Sequence, residues 1–575
     1  MSSVRDETPG ERAPRAAFAW GLVAAAAAWG VTAAARDAWT CDDAFIVFRY
    51  ARNLADGLGL VFNAGERVEG FTDLLWVLWT SGAFALHVDP EVWANISGVA
   101  AYGGAILLLG FDHLRLVRRL PVSAWAAVPL AALAAAAHAD WNIWATSGLE
   151  TSGLAFLFVA GYVVLVAGVP DVRRGLLAGV LLGLATLLRP DGVLLVAVGG
   201  VYVLVRARCV RPVAAYACGA LALGLPAQAF RLLYYGAFVP NTYWAKSANL
   251  AWWGQGLLYL QLYGEKYGVL VLGPVLVLAA ILTLRRDGPA RRAAFASDWA
   301  PRAALAAAFA AVYTVYVVRV GGDFMYARLL IPVTPFYLVL FELGWTALPR
   351  RTPFAVALAV AALPVALPCF IPRPLQGARM VGGIVSESDV YGPKAAAEAD
   401  FRGDVLRRFF DGVPVRALLF GSEMRLAYRA AIATAVDANG LTEPVVARQP
   451  LARRGRPGHE KVATPAYAID VRKAHVTFWT FRTGGLPAYI PLVPIRFGPV
   501  SGLLLHWDPP VLAEWKRRGA VFPDFPAWLD RYLARLPEES DDRVRDDYAK
   551  FRHFYFEHVS DPARERPIRS RLRLP

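Results

Sequence analysis

Two adjacent carboxylates, Asp42 and Asp43, stand in "TCDDAFIVFRYARNLADGLGLVFNAGERVEGFTDLLW" (40–76), with Arg49, Arg52, Asp56, Glu66, Arg67 and Glu69 close behind them. A carboxylate in such a place can take the proton of an attacking hydroxyl, and two together can hold a divalent cation beside a phosphate. The plainer reading is a solvated pair that ends a helix. The setting weighs against it. Arg49 and Asn53 lie four residues apart and share a face if 43–55 is helical. "GLGLVFNAGERVEG" (57–70) then adds a glycine-rich turn carrying Glu66 and Glu69, with Thr72 just beyond.

Further polar residues interrupt apolar sequence, where a charge is costly and so is a functional candidate. Arg189 and Asp191 split "LLRPDGVLLV" (187–196), and Pro190 breaks the helix there. Arg189 suits a phosphate, or pairs with Asp191 in a hairpin. Lys246 follows Asn241 among aromatics in "VPNTYWAKSA" (239–248), placed to neutralise a lipid phosphate or to snorkel to headgroups. In "GGDFMYARLLIP" (321–332), Asp323 could bond a sugar hydroxyl and Arg328 a phosphate; helix capping is the alternative. Glu150 in "ATSGLET" (145–151) and His459 in "RRGRPGHEKV" (453–462) complete the set.

These residues need a scaffold, and the composition indicates which kind. The chain has 575 residues, 57% of them hydrophobic and 18% charged, with mean hydropathy +0.40. That places it in the membrane class. The net charge of +14 sits mainly between apolar runs and in the last third, which fits membrane topology and not nucleic acid. Residues 16–35 follow Arg5, Arg12 and Arg15 and read as an uncleaved first span more readily than as a signal peptide. After the first loop (36–70), apolar runs recur near 71–86, 93–111, 122–138, 150–168, 175–188, 192–205, 213–235, 266–284, 303–318, 328–345 and 353–369.

The basic connectors at 112–121, 171–175, 206–212, 285–292 and 349–352 face the cytoplasm by the positive-inside rule. The aromatic, polar connectors then face outward. Parity closes if the short run 71–86 is re-entrant or interfacial, so about eleven or twelve membrane segments are expected in 1–370. From 371 to 575 no long apolar run remains. "VRALLFGSEMRLAYRAAIATAVDANGLTEP" reads as strand, turn and helix, and "PAWLDRYLARL" as an amphipathic helix, giving an α/β or α+β module on the outer, periplasmic face. A Cys41–Cys369 disulfide would need both thiols at one face and within bridging distance. Walker A, GxSxG, HExxH and zinc-type spacings are absent from the sequence.

"DDAFIVFRYARNL", "LVFNAGERVEGFT", "TSGLET", "LLRPDG", "VPNTYWAK" and "VGGDFMYARLLIP" resemble, in content and order, the GT-C class of integral-membrane glycosyltransferases. Within that class they resemble the terminal β-(1→2)-arabinofuranosyltransferases of the mycobacterial cell wall. The likeness runs over about 16–370 and continues more weakly into "VDANGLTEPVVAR" and "RPGHEK". It implies a polyprenyl-phosphate sugar donor and an envelope glycan or glycolipid acceptor, both handled at the outer face of a bacterial inner membrane. Asp42 and Asp43 fall where the family keeps its catalytic aspartates, and Lys246 and Arg328 where donor-phosphate contacts are plausible. "ERVEGFT" (66–72) departs from the family's "ERVEANT", so the donor class is better supported than the sugar.

The reading is therefore transfer from a lipid phosphate, with Asp42 or Asp43 as base and Arg49, Arg189, Lys246 and Arg328 toward the donor phosphate. Asn53, Glu66, Glu69, Thr72, Glu150, Asp191, Asn241, Asp323 and His459 are the sugar or acceptor candidates. No cofactor is required; a divalent cation on Asp42 and Asp43 is the alternative. A flippase for a lipid-linked glycan and a non-catalytic envelope assembly protein are the competing readings. Transporters commonly show internal repeats and midplane charges; here no repeat is seen, and the charges cluster on outer connectors.

Overall fold

The computed structural model describes residues 9–120, 124–285, 287–347, 375–478 and 493–574. Among them, four helices are long and apolar enough to cross a membrane: Ala17–Arg36, Pro90–Val117, Val210–Tyr235 and Pro289–Val320. Trp253–Lys266 and Val269–Leu284 make a fifth if taken as one span bent by 77°. Other apolar runs form shorter helices, among them Leu74–Ala85, Thr151–Val166 and Ile331–Thr346. Arg189 and Pro190 split their run into Val172–Leu188 and Val193–Arg206, of 17 and 14 residues. At 1.5 Å per residue these reach about 26 and 21 Å, short of a bilayer core of about 30 Å. The run at 122–138 yields Leu130–Ala136, and His138 opens the next helix, Ala139–Ala145, by accepting from Trp141 N–H. Leu74–Ala85 has 12 residues, as the interfacial reading of 71–86 requires. The run 353–369 and Cys369 lie outside the described residues.

The helices pack through small residues. Gly175, Gly179 and Gly183 form a stripe on Val172–Leu188 against Val210–Tyr235. A Cβ at these glycines would sit 2.4 Å from Pro212 O, 2.2 Å from Tyr216 O and 2.9 Å from Ala220 O. Such stripes let backbones approach where lipid leaves little hydrophobic drive between helices.

After residue 374 the chain builds a five-stranded mixed sheet from β1 (Arg416–Leu419), β2 (Thr434–Asp437), β3 (Val476–Thr477), β4 (Val493–Phe497) and β5 (Val500–Leu504). The order is β2-β1-β3-β5-β4; β1 pairs parallel with β2 and β3, and β5 antiparallel with β3 and β4. The expected strand, turn and helix are β1, Gly421 and Met424–Arg429, with β2 following directly. The amphipathic helix is Phe525–Arg535. The open edge of the sheet, β2, is covered by the first loop: Asn63 accepts from Ala435 N–H at 2.9 Å and donates to Ala435 O at 3.0 Å. An amide side chain thus stands in for a neighbouring strand.

Replacing Gly179 by Leu should separate the two helices and lower stability by about 2 kcal/mol or more. A thermal scan in detergent checks this; an unchanged midpoint would contradict the packing.

Candidate functional site

The helix Ala44–Ala55 begins at Asp43 and is buried over most of its surface. Arg49 and Asn53 share a face of it and hold the loop that follows. Arg49 Nε donates to Phe62 O at 2.6 Å, and Asn53 Nδ2 to Val61 O and Phe62 O at 2.8 and 3.1 Å. Arg49 also donates to Asn63 Oδ1 and Ala433 O, and its guanidinium lies over the Phe62 ring. With its Nε and Nη2 bonded within the protein, Arg49 organises the loop, while its Nη1 is buried without a partner.

Glu66, Glu69 and Asn241 belong to the same seam. Glu66 pairs with Arg472 at 2.8 Å. Glu69 accepts both bonds of a forked contact from Arg231, at 2.7 and 3.0 Å. Asn241 donates to Gly440 O and Leu441 O. Thr72 is half-buried beyond them. Gly70 lets the chains close: a Cβ there would lie 2.6 Å from Thr442 Cγ2.

The paired aspartates divide. Asp42 is buried, and its two oxygens accept from Met424 N–H at 3.0 Å and Arg425 N–H at 2.9 Å. Burial pushes its carboxyl up to about 7, against the pull of those two bonds. Asp43 is half-buried, and its side chain makes no capping bond. Among the described residues it has no hydrogen-bonded or ion-paired partner. Its charge bears on Cys41, Arg328, Glu387 and His459.

Lys246 is the complementary case. It is half-buried and has no ion pair or hydrogen bond of its ammonium among the described residues, and its charge bears on His459. His459 sits edge-on to Phe324, with ring centres 4.5 Å apart, and Arg456 covers the same ring at 4.5 Å. Burial, then Arg456, push the His459 imidazole below its usual value, so it is neutral near pH 7.

Arg189 and Arg328 are already paired. Glu150 accepts from both, at 3.2 Å each. Asp191 takes the remaining fork of Arg189 and accepts from Tyr313 at 2.9 Å. Asp323 stands 3.8 Å from Arg328. Burial alone would raise the Glu150 carboxyl; Arg328 and Arg189 more than offset it and hold it below the usual range. The turn at Gly148, with φ +78°, aims this residue inward.

Three members of the cluster escaped the sequence reading. Asp73 is buried beside Glu150, and burial with that charge raises its carboxyl. Glu387 pairs with Arg456 at 3.1 Å, and burial, then Asp43, push its carboxyl up to about 8. The third is Arg456 itself. Only the position of Asp73 after the glycine-rich turn could have drawn notice; Glu387 lies in unremarked polar sequence. Among the described residues, the groups spaced for a metal ion are His475, His506 and Asp508, and Asp470, His553 and Glu557. Neither includes Asp42 or Asp43.

No family model matches the chain. It is 33% identical over 347 residues to a terminal β-(1→2)-arabinofuranosyltransferase of Corynebacterium glutamicum, covering 53% of this chain and 49% of that protein. It is 31% identical over 355 residues to the protein of the same name from Mycobacterium tuberculosis, covering 56% and 55%. The chain thus spans about half the length of the curated relatives it matches. The crystal structure of ArnT from Cupriavidus metallidurans bound to undecaprenyl phosphate aligns over 80% of both chains, with TM-score 0.43 and 16% identity.

Asp42 supplies a pH test. A carboxyl raised from 3.8 to about 7 on folding stabilises the fold fully below about pH 4. That contribution falls as pH rises and is gone above about 7, at about 1.4 kcal/mol per unit. The thermal midpoint should fall between pH 5 and 7.5, and Asp42→Asn should flatten that slope. An unaltered slope in the variant would contradict the assignment.

Proposed function

We propose that the chain is a membrane glycosyltransferase that takes a sugar from a polyprenyl-phosphate donor. The names of its relatives point to arabinofuranose, and the acceptor is a hydroxyl of an envelope glycan or glycolipid at the extracytoplasmic face. The observation that carries this is a contrast in pairing. Glu150, Arg189, Asp191, Asp323 and Arg328 are engaged with one another, while the side chains of Asp43, Lys246 and the buried Asp73 have no partner among the described residues, and the charges of Asp43 and Lys246 act on His459. A carboxylate without a partner can accept a proton. An ammonium without one can hold a phosphate.

In the step proposed, Asp43 accepts the proton of the acceptor hydroxyl. The hydroxyl oxygen attacks the anomeric carbon, and the bond from that carbon to the phosphate oxygen breaks. The polyprenyl phosphate leaves with its new charge beside Lys246. Arg189 and Arg328 are poor anchors for this phosphate, because Glu150, Asp191 and Asp323 already neutralise them. They set the shape and field of the cluster instead. Asp42 acts as a strut, and a cation shared by both aspartates would have to displace its backbone bonds. Convergence of these outer-connector residues on one place supports transfer over transport.

The test is an assay with radiolabelled polyprenyl-phosphate arabinofuranose and an envelope glycan acceptor. Asp43→Asn should cut transfer at least about a hundredfold. Lys246→Met should raise the donor KM about tenfold, in line with loss of a charge-assisted contact. Full transfer by Asp43→Asn would overturn the mechanism.

A further inference from the structure

His475, His506, His558 and His553 form a row in the module after residue 374. The rings of His475 and His506 centre 4.7 Å apart and those of His506 and His558 4.5 Å apart, and His558 Nε2 donates to His553 O at 2.9 Å. A group of ligand type stands at each end of the row. At the first end the donor atoms are consumed. Arg416 N–H donates to His475 Nδ1 at 3.0 Å, so the proton of that ring is on Nε2, which meets Asp508 Oδ2 at 3.1 Å. Asp508 Oδ1 accepts from Val511 N–H, and His506 Nδ1 donates to Ala474 O at 2.8 Å. These bonds make a closed structural network.

At the other end the ligand atoms face one another. His553 Nδ1 lies 3.2 Å from Asp470 Oδ1 and 3.4 Å from Glu557 Oε2. Asp470 Oδ1 is buried and has no hydrogen bond among the described residues. Ligand atoms about 2.0–2.2 Å from a tetrahedral centre stand about 3.3–3.6 Å from one another, so this spacing suits an ion between them. The backbone holds the three residues in place. His553 and Glu557 are four residues apart about the single π turn Arg552–Phe556, and Asp470 lies in another, Tyr467–Val471. Such turns are rare and recur at functional sites. Phe554 and Tyr555 anchor the one in the core, and Ala468 and Ile469 the other. Trp507 N–H donates to Phe554 O at 2.7 Å. Arg552 Nε holds Glu557 Oε1 at 2.9 Å, the kind of outer contact that orients a ligating carboxylate. The three side chains are 28–30% exposed, which gives an ion a path from solvent.

We infer that Asp470, His553 and Glu557 bind a divalent transition-metal ion of the Zn²⁺ type, through one imidazole nitrogen and two carboxylate oxygens, with water completing the coordination. The nitrogen ligand favours Zn²⁺ over Mg²⁺ and Ca²⁺, which take oxygen. The ion ties the end of the C-terminal helix Asp541–Phe551 to the segment around Asp470. Arg472 in that segment already holds Glu66 of the first loop and Glu443. The site shares no residue with the cluster around Asp43 and does not depend on the transferase reading. Without a metal the same residues make an ion pair of protonated His553 with two carboxylates, so the test must separate the two.

The measurement is calorimetric titration of Zn²⁺ into metal-stripped, full-length protein without a polyhistidine tag, near pH 7. His553→Gln and Asp470→Asn should each weaken Zn²⁺ binding by about tenfold or more, His506→Gln should leave it within about twofold, and about a hundredfold excess of Mg²⁺ should not displace it. Hydrogen exchange in 467–473 and 552–557 should slow with Zn²⁺ in the parent and not in His553→Gln. Should His553→Gln not fold, Glu557→Gln should show the same loss. No Zn²⁺ uptake by the parent, or uptake unchanged in folded His553→Gln and Asp470→Asn proteins, would overturn the inference. So would dependence on His506 instead, or equal binding of Mg²⁺.

Discussion

A buried carboxylate with two backbone N–H donors fixes the rest of this structure. Asp42 leaves the first membrane helix and receives both its bonds from Met424 and Arg425, some 380 residues later in the chain. An unpaired buried carboxylate is costly, and removing either partner would strand it. The contact is reinforced around it. Arg425 and Arg429 each grip both Glu91, at the start of Pro90–Val117, and Asp400. Asn63 completes the edge of the sheet, and Lys461 donates to Trp244 O and Ala447 O. The membrane part and the sheet module therefore meet through buried polar contacts whose partners are specific, and they are fixed in relation to one another.

That docking explains how distant short motifs make one cluster. The first loop brings Asp43, the connector after Val210–Tyr235 brings Lys246, and the glycine turn at 321–322 brings Asp323 and Arg328. The segment after residue 374 brings Glu387, Arg456 and His459. Most charges are satisfied inside the cluster, and among the described residues the side chains of Asp43, Lys246 and Asp73 have no partner there.

Much of this was legible in the sequence. The first-loop motif announced a dense polar element at a membrane exit, and Lys246, Asp323, Arg328 and His459 do gather where Asp43 lies. The Arg189–Asp191 hairpin was also readable, because Pro190 forces the break. Other features were not. Nothing local distinguishes Asp42 from Asp43, since the difference is a long-range contact with residues 424 and 425. Arg49 carries the same charge as Lys246, and only the position of Phe62 O and Asn63 shows that its Nε and Nη2 are used. Glu387 sits in ordinary polar sequence and is placed by backbone pairing at Val385. Apolar runs also do not show where a helix ends, so which runs are single long helices and which are broken was not legible.

The most direct test of the account is a cryo-electron microscopy structure of the chain with a non-transferable polyprenyl-phosphate sugar analogue. The account predicts the phosphate beside Lys246, the anomeric carbon within reach of a hydroxyl held by Asp43, and Arg189 and Arg328 still paired to Glu150. A phosphate seated on Arg189 and Arg328 with Glu150 displaced, or a lipid bound away from Asp43, would contradict it.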